Sequence, residues 1–325
     1  IAAGLPELRQ TLSAVLRQRL SHADLTPENL LITAGANSAY LMTVMGIMRS
    51  GDRMGLLTPW YFNHEMSVRL LGHETIPIAL SSAQAFTLDT ERILDAVDRY
   101  KLQALTLVNP NNPTGTTYAP EHLTHLALEL QRRGVWLIAD ETYAFFSGTD
   151  HRPFSLGSLA DRLDRLVVIG SFSKTFAMTG WRVGYLAARA TLIRELLKIQ
   201  DTMLICASHP GQRLALICLR DGWNWLAERI LDLEQRQRQF IAEWPIDCPW
   251  RIVSSGLFFA WLEGPTAGRE LVLRLLETAG VILIPGDIFG PGLDRTIRVS
   301  LGCVDDQGFA EGKQRLFRSL QTSVS

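Results

Sequence analysis

Short apolar runs of strand length alternate with helix-like stretches through the first two thirds of the chain, and no other feature narrows the choice of fold as much. The runs lie at 53–57, 75–78, 103–108, 135–139, 166–170 and 183–187. Helical spacing of apolar residues marks 62–71 and 120–132 between them. Continuous apolar strands separated by amphipathic helices predict an α/β fold, a mostly parallel sheet covered on both faces. With 47% hydrophobic and 20% charged residues over 325 positions, the chain has the material for such a core.

The texture changes near Leu214. A polar-faced helix is predicted over 223–240, strands over 251–263, 281–284 and 296–301, and a helical tail near 308–320. The expected division is a large domain over 1–213 and a smaller α+β domain over 214–325. At the start, Leu5, Leu8, Leu12, Val15, Leu16 and Leu20 predict a first helix. The chain opens on Ile1 with no charged-then-apolar leader and is expected to begin partway into a protein.

Composition removes several function classes. Lysine and arginine total 32 against 33 acidic residues, a net charge of −1, so no general nucleic-acid binder is expected. No apolar run has the length of a membrane span. Cys206, Cys218, Cys248 and Cys303 show no CxxC and no close pairing. They point to a reducing, cytoplasmic setting rather than a disulfide scaffold.

In parallel sheets a ligand binds at the carboxyl ends of the strands. Three polar segments stand there: NPNNPTG at 109–115, DETY at 140–143 and SFSKTFAMTGWRVGY at 171–185. Taken singly, these are an ordinary turn, a helix cap and a solvated cationic stretch. All three follow strands, in this order.

With IRVSLG at 297–302 and GLPELR at 4–9, these segments resemble the class I/II aminotransferases, fold type I enzymes that use pyridoxal 5′-phosphate. The resemblance covers nearly the whole chain. It implies the fold type I large domain with a smaller α+β carboxyl-terminal domain, and a reaction between an L-amino acid and a 2-oxo acid. It also implies a homodimer, because the family builds each site from two subunits. Members usually carry a tyrosine shortly before GLPELR, a position that would precede Ile1.

The resemblance also implies roles. Lys174 is expected to form the Schiff base with the cofactor aldehyde and to shuttle the proton, which requires an amine that can be neutral. Asp140 would keep the cofactor's ring nitrogen protonated, and Asn112 and Tyr143 would donate to its ring oxygen. Ser171 and Arg182 resemble phosphate ligands, with Ala36 and Asn37 adding backbone amides at a helix start. Ser208 resembles a phosphate-binding hydroxyl lent by the partner subunit. Tyr61 aligns with the aromatic that stacks on the cofactor ring, with Trp60 as its neighbour. Arg298 and Asn112 would bind the substrate, Arg298 by gripping its α-carboxylate.

The stretch 202–205 holds no arginine where aspartate-specific relatives place one. Apolar or aromatic amino acids are therefore expected, with Trp60, Phe258 and Phe259 as wall residues or, for the phenylalanines, as core. Ser171 to Lys174 fits S-x-x-K, but the S-D-N and K-T-G elements that reading needs do not occur. His122, His125 and Glu129 have helical spacing, which more often marks a solvated face than a metal site, and no metal is expected. A C–S or other β-lyase on the same fold and a non-catalytic ligand-sensing module are the alternative functions.

Overall fold

The computed structural model describes residues 2–146 and 154–321. Seven strands form the first sheet: β1 (Leu30–Thr33), β2 (Arg53–Thr58), β3 (Glu74–Ala79), β4 (Ala104–Val108), β5 (Trp136–Asp140), β6 (Leu166–Ser171) and β7 (Gly184–Ala187). Their order is β1-β7-β6-β5-β4-β2-β3. Only β7 runs against its neighbours, pairing antiparallel with β6 and β1. The mostly parallel sheet predicted from the alternation is present.

Each of β1, β4, β6 and β7 is buried along its full length, which is why β4, β6 and β7 read as unbroken apolar runs. Two cores cover the two faces. One gathers Leu8, Leu12 and Leu16 of the first helix, Pro6–Leu20, with Leu105, Leu137 and Val168 of the sheet. The other sets Met42 and Val44 of the helix Ala36–Ile47 against Leu56, Ile138 and Ile169.

The second sheet has four strands, β8 (Arg251–Gly256), β9 (Phe259–Glu263), β10 (Ile284–Pro285) and β11 (Thr296–Ser300), in the order β10-β11-β9-β8. Its core joins Ala260, Leu262, Ile297 and Val299 to Leu316 and Leu320 of the last helix, Asp306–Gln321. The single strand expected over 251–263 is a hairpin, turning at Leu257 with φ 55°. The strand expected over 281–284 shrinks to the two residues of β10.

The division expected between residues 213 and 214 falls inside the helix His209–Asp221. Ala215, Leu216 and Leu219 of that helix pack into the first core, and Gln212 Oε1 accepts the Leu5 N–H at 2.7 Å. The helix thus belongs with the first sheet, and the change of texture follows it at Gly222. The next helix, Trp223–Ala242, starts against the first core at Trp223 and ends in the third at Phe240. No helix among the described residues is long and apolar enough to cross a membrane.

Candidate active site

The carboxyl ends of β2, β4, β5 and β6 open on a cavity of about 150 Å3. Ala36, Asn37, Tyr61, Asn112, Asp140, Tyr143, Ser171, Lys174 and Arg182 all line it. Local chemistry explains how each arrives there. Ser171 ends β6, and its hydroxyl accepts the Ser173 N–H at 3.1 Å, capping the one-turn helix Phe172–Thr175 that presents Lys174. After β4, Asn111 Oδ1 accepts from Thr114 N at 3.1 Å and Thr114 Oγ1 at 2.8 Å, while Asn109 Oδ1 accepts from Tyr118 N at 3.0 Å. Those two asparagines fold the loop and leave Asn112 facing the cavity.

Asp140 sits at the end of β5, buried. Its Oδ2 lies 3.1 Å from His64 Nε2, and its Oδ1 accepts the Thr142 N–H at 3.0 Å. Burial alone would favour the neutral acid. The bonds from His64 and Thr142 and the His64 charge outweigh it, and the carboxyl is held below the usual aspartate range. His64 is steadied by stacking on Tyr40, ring centres 4.1 Å apart. No sequence motif marks His64; its one signal is a place three residues after Tyr61, which caps the start of the helix Phe62–Leu70.

Burial lowers the Lys174 ammonium from its ordinary value. The Cys303 thiol opposes this, and the Arg298 and Arg182 guanidiniums reinforce it. A neutral amine is the form that attacks a carbonyl.

The far end of the cavity suits an anion. Gly35 precedes the helix Ala36–Ile47 with φ 84°, and no side chain caps the amides at that helix start. The guanidinium of Arg182 lies directly against Gly35, so a Cβ there would fall 2.3 Å from Nη2. Arg182 Nη1 also donates to the Thr179 carbonyl at 2.8 Å and faces Ser173 Oγ at 3.4 Å. Ser208 does not line this cavity; it stands exposed at the start of the helix His209–Asp221.

Arg298, on β11, approaches from the second sheet. Its Nη1 donates to Asn112 Oδ1 at 2.7 Å, and Asn112 Nδ2 faces Tyr143 Oη at 3.5 Å. The guanidinium is held over the rings of Phe259 and Phe289, 4.9 and 5.3 Å from their centres. Its Nε is buried and donates to nothing among the described residues. Phe258 and Phe259 pack edge-on against Tyr143, 5.7 and 5.8 Å between ring centres, with Phe259 itself buried. Trp60 does not line the cavity. It packs against the core that holds Met42 and Val44, and its backbone N–H donates to the Phe289 carbonyl at 2.9 Å.

The alternative metal set is absorbed by ordinary pairs: His125 faces Glu91 at 3.4 Å, and Glu129 bonds Arg132 and Arg133. Among the described residues, no group of three His, Cys, Asp or Glu side chains is placed to hold a metal ion.

An amine, a buried carboxylate, two donors near it and an anion cradle at the other end share one cavity. The aminotransferase class I and II family matches residues 2–316, and the chain belongs to that family. It is 33% identical over 332 residues to the aromatic aminotransferase ISS1 of Arabidopsis thaliana, covering 98% of this chain and 80% of the relative. The solved aromatic aminotransferase of Pyrococcus horikoshii superposes with a TM-score of 0.91 at 26% identity, over 99% of this chain and 87% of that one. The Thermus thermophilus aspartate aminotransferase with maleate gives 0.89 at 26% identity, over 98% and 83%. The chain is a fold type I aminotransferase, an enzyme whose family works with pyridoxal 5′-phosphate.

Proposed function

We propose that this enzyme binds pyridoxal 5′-phosphate in the cavity beneath Lys174 and moves an amino group from an apolar or aromatic L-amino acid to a 2-oxo acid. The observation that carries the reading is the placement of Lys174 and Asp140 in one cavity, with the anion cradle at its far end. When bound, the cofactor supplies a carbonyl for amine exchange and a cationic ring that withdraws electrons.

The chain's residues supply the rest. Lys174 Nζ, its charge weakened by burial, would hold the cofactor and would take and return the substrate's α-proton. Asp140, kept ionised by His64, would favour the protonated form of the ring nitrogen. Asn112 and Tyr143 would donate to the ring oxygen, and Tyr61 would cover one ring face. Arg182, Ser171 and the amides of Ala36 and Asn37 would take the phosphate; Ser171 Oγ accepts from Ser173 and keeps its own hydrogen to donate. The partner subunit's copy of Ser208 would add a hydroxyl, so the proposal includes a homodimer. Trp181, Met203 and Ile205 are 49%, 42% and 61% exposed in the segments that carry Arg182 and Ser208, apolar surface of the kind a subunit interface covers.

Arg298 would grip the α-carboxylate through its unpaired Nε edge. A carboxylate held there would be kept from leaving as carbon dioxide, and loss of the proton would be favoured. Phe258 and Phe259 give the side-chain side an apolar wall, and the segment Thr202 to Ile205 brings no arginine for a second carboxylate.

The test is a panel of amino acids mixed with stoichiometric enzyme. Phenylalanine, tyrosine and leucine should convert the cofactor to its amine form, aspartate far more slowly. Lys174→Ala should lose the visible band of the lysine-bound cofactor and at least about a thousandfold in rate. Ammonia and pyruvate without the amine form would establish a lyase instead.

A further inference from the structure

Glu141 follows Asp140 directly, yet it turns away from the cavity into the protein. It is 3% exposed, and the two residues joined to it, Ser155 and His22, are 0% and 4% exposed. Glu141 Oε1 accepts the Leu156 N–H at 2.8 Å, and Oε2 lies 2.5 Å from Ser155 Oγ. The same Oγ lies 2.9 Å from His22 Nε2 and accepts the Gly157 N–H at 3.0 Å. Gly157 lies against the imidazole so closely that a Cβ would fall 2.2 Å from Cε1. His22 also lines a second cavity, of about 130 Å3, together with Asp24, Asp161 and Arg189.

A hydroxyl has one hydrogen and two lone pairs. Ser155 spends one lone pair on Gly157, so one of its other neighbours must donate to it and the other must accept. In the first arrangement Ser155 donates to ionised Glu141 and accepts from the Nε2–H of His22. In the second the Glu141 acid donates to Ser155, Ser155 donates to bare Nε2, and His22 carries its proton on Nδ1. The hydrogen bonds among Glu141, Ser155 and His22 Nε2 are satisfied in both, and no heavy atom has to move. The two differ by one proton. It arrives at Nδ1, the Nε2 proton passes to Ser155, and the Ser155 proton passes to the Glu141 carboxylate. His22 is neutral before and after; one negative charge is lost at Glu141.

Burial favours the neutral form of both ends. It is the largest influence on Glu141, which is pushed up to about 7 against the pull of the Ser155 and Leu156 bonds, with Asp140 pushing the same way as burial. Burial takes the His22 imidazole down to about 4. The phenol of Tyr185 on β7 also faces this charge.

We propose that His22, Ser155 and Glu141 form a proton relay from the second cavity to the carboxylate beside Asp140, three positioning residues that let pH set the field at the catalytic site. The experiment is a pH titration of the holoenzyme labelled with 15N at its histidines, with infrared spectra of the same samples. His22 should pass from the Nδ1–H to the Nε2–H tautomer as pH rises, at the midpoint where a protonated carboxyl band disappears. Glu141→Gln imitates the protonated arrangement, because its amide can donate to Ser155 while its oxygen accepts from Leu156. It should lose the carboxyl band and hold His22 as the Nδ1–H tautomer throughout. Ser155→Ala should separate the two midpoints.

The last arm rests on the cofactor reading, and the first two do not. The visible band of the bound cofactor should titrate more broadly than a one-proton curve in the wild type and as a one-proton curve in Glu141→Gln. A single His22 tautomer at all pH values, or an imidazolium forming near neutrality, would overturn the relay. Identical cofactor titrations in wild type and Glu141→Gln would overturn its link to the site.

Discussion

A histidine that no motif announces decides how the cavity's carboxylate behaves. Asp140 is buried in surroundings that favour the neutral acid, and His64 at 3.1 Å is the main force opposing them. Because the folded carboxyl is held below its unfolded value, it contributes stability that is present above the ordinary aspartate range and lost as pH falls beneath it. His64→Ala should therefore bring acid unfolding to higher pH and cost about 2 kcal/mol at neutral pH, measured as denaturant midpoints across the acid limb. Legibility at this scale was uneven. Lys174, Asp140 and Asn112 could be read because each follows a strand in a distinctive segment. His64 could not, since a histidine on a helix face is usually just a surface or core residue, and only the fold brings it to Asp140. Glu141 was visible within DETY, but its partners lie 119 residues before it and 14 after it, at His22 and Ser155.

Elements were read best where packing and pattern coincide. Strands β2 to β7 are short apolar runs between polar turns, and the structure keeps them within a residue or two of the expected ends. Strand β1 went unread because four residues, Leu30 to Thr33, are too few to show a period. The hairpin over β8 and β9 merged into one run because its turn, Leu257-Phe258, is itself apolar and carries no glycine or asparagine at the left-handed position. Where the two sheets meet, backbone touches backbone. A Cβ at Gly256 would fall 2.1 Å from the Gly115 carbonyl oxygen, and Ser254 Oγ bonds the Thr114 carbonyl at 2.9 Å. Gly256→Ala should push the 109–115 loop off its seat and misplace Asn112. Steady-state kinetics should show KM for the amino acid raised about tenfold or more, with cofactor still bound. An unchanged KM would mean the loop accommodates the methyl group.

For the molecule as a whole, the alternation of runs was enough to give the parallel sheet and its covered faces, and the change of rhythm gave a second α+β unit, whose sheet is antiparallel. The point of division was not legible, because the helix His209–Asp221 resembles its neighbour in composition and only its packing against the first helix assigns it. Assembly belongs to this scale too. If the partner's Ser208 completes the phosphate cradle, light scattering of the active enzyme should give the mass of two chains, and diluting it to monomers should release cofactor. An active species with the mass of a single chain, 36.3 kDa, would remove the dimer from the account.

Asn112 is gripped at both ends, its oxygen by Arg298 and its nitrogen beside Tyr143. A carboxylate seated on the free Nε edge of Arg298 would draw the guanidinium toward itself and pull on the first of these holds. The strain would pass through a lone carboxamide to the phenol, so that docking in one compartment would be felt in the other.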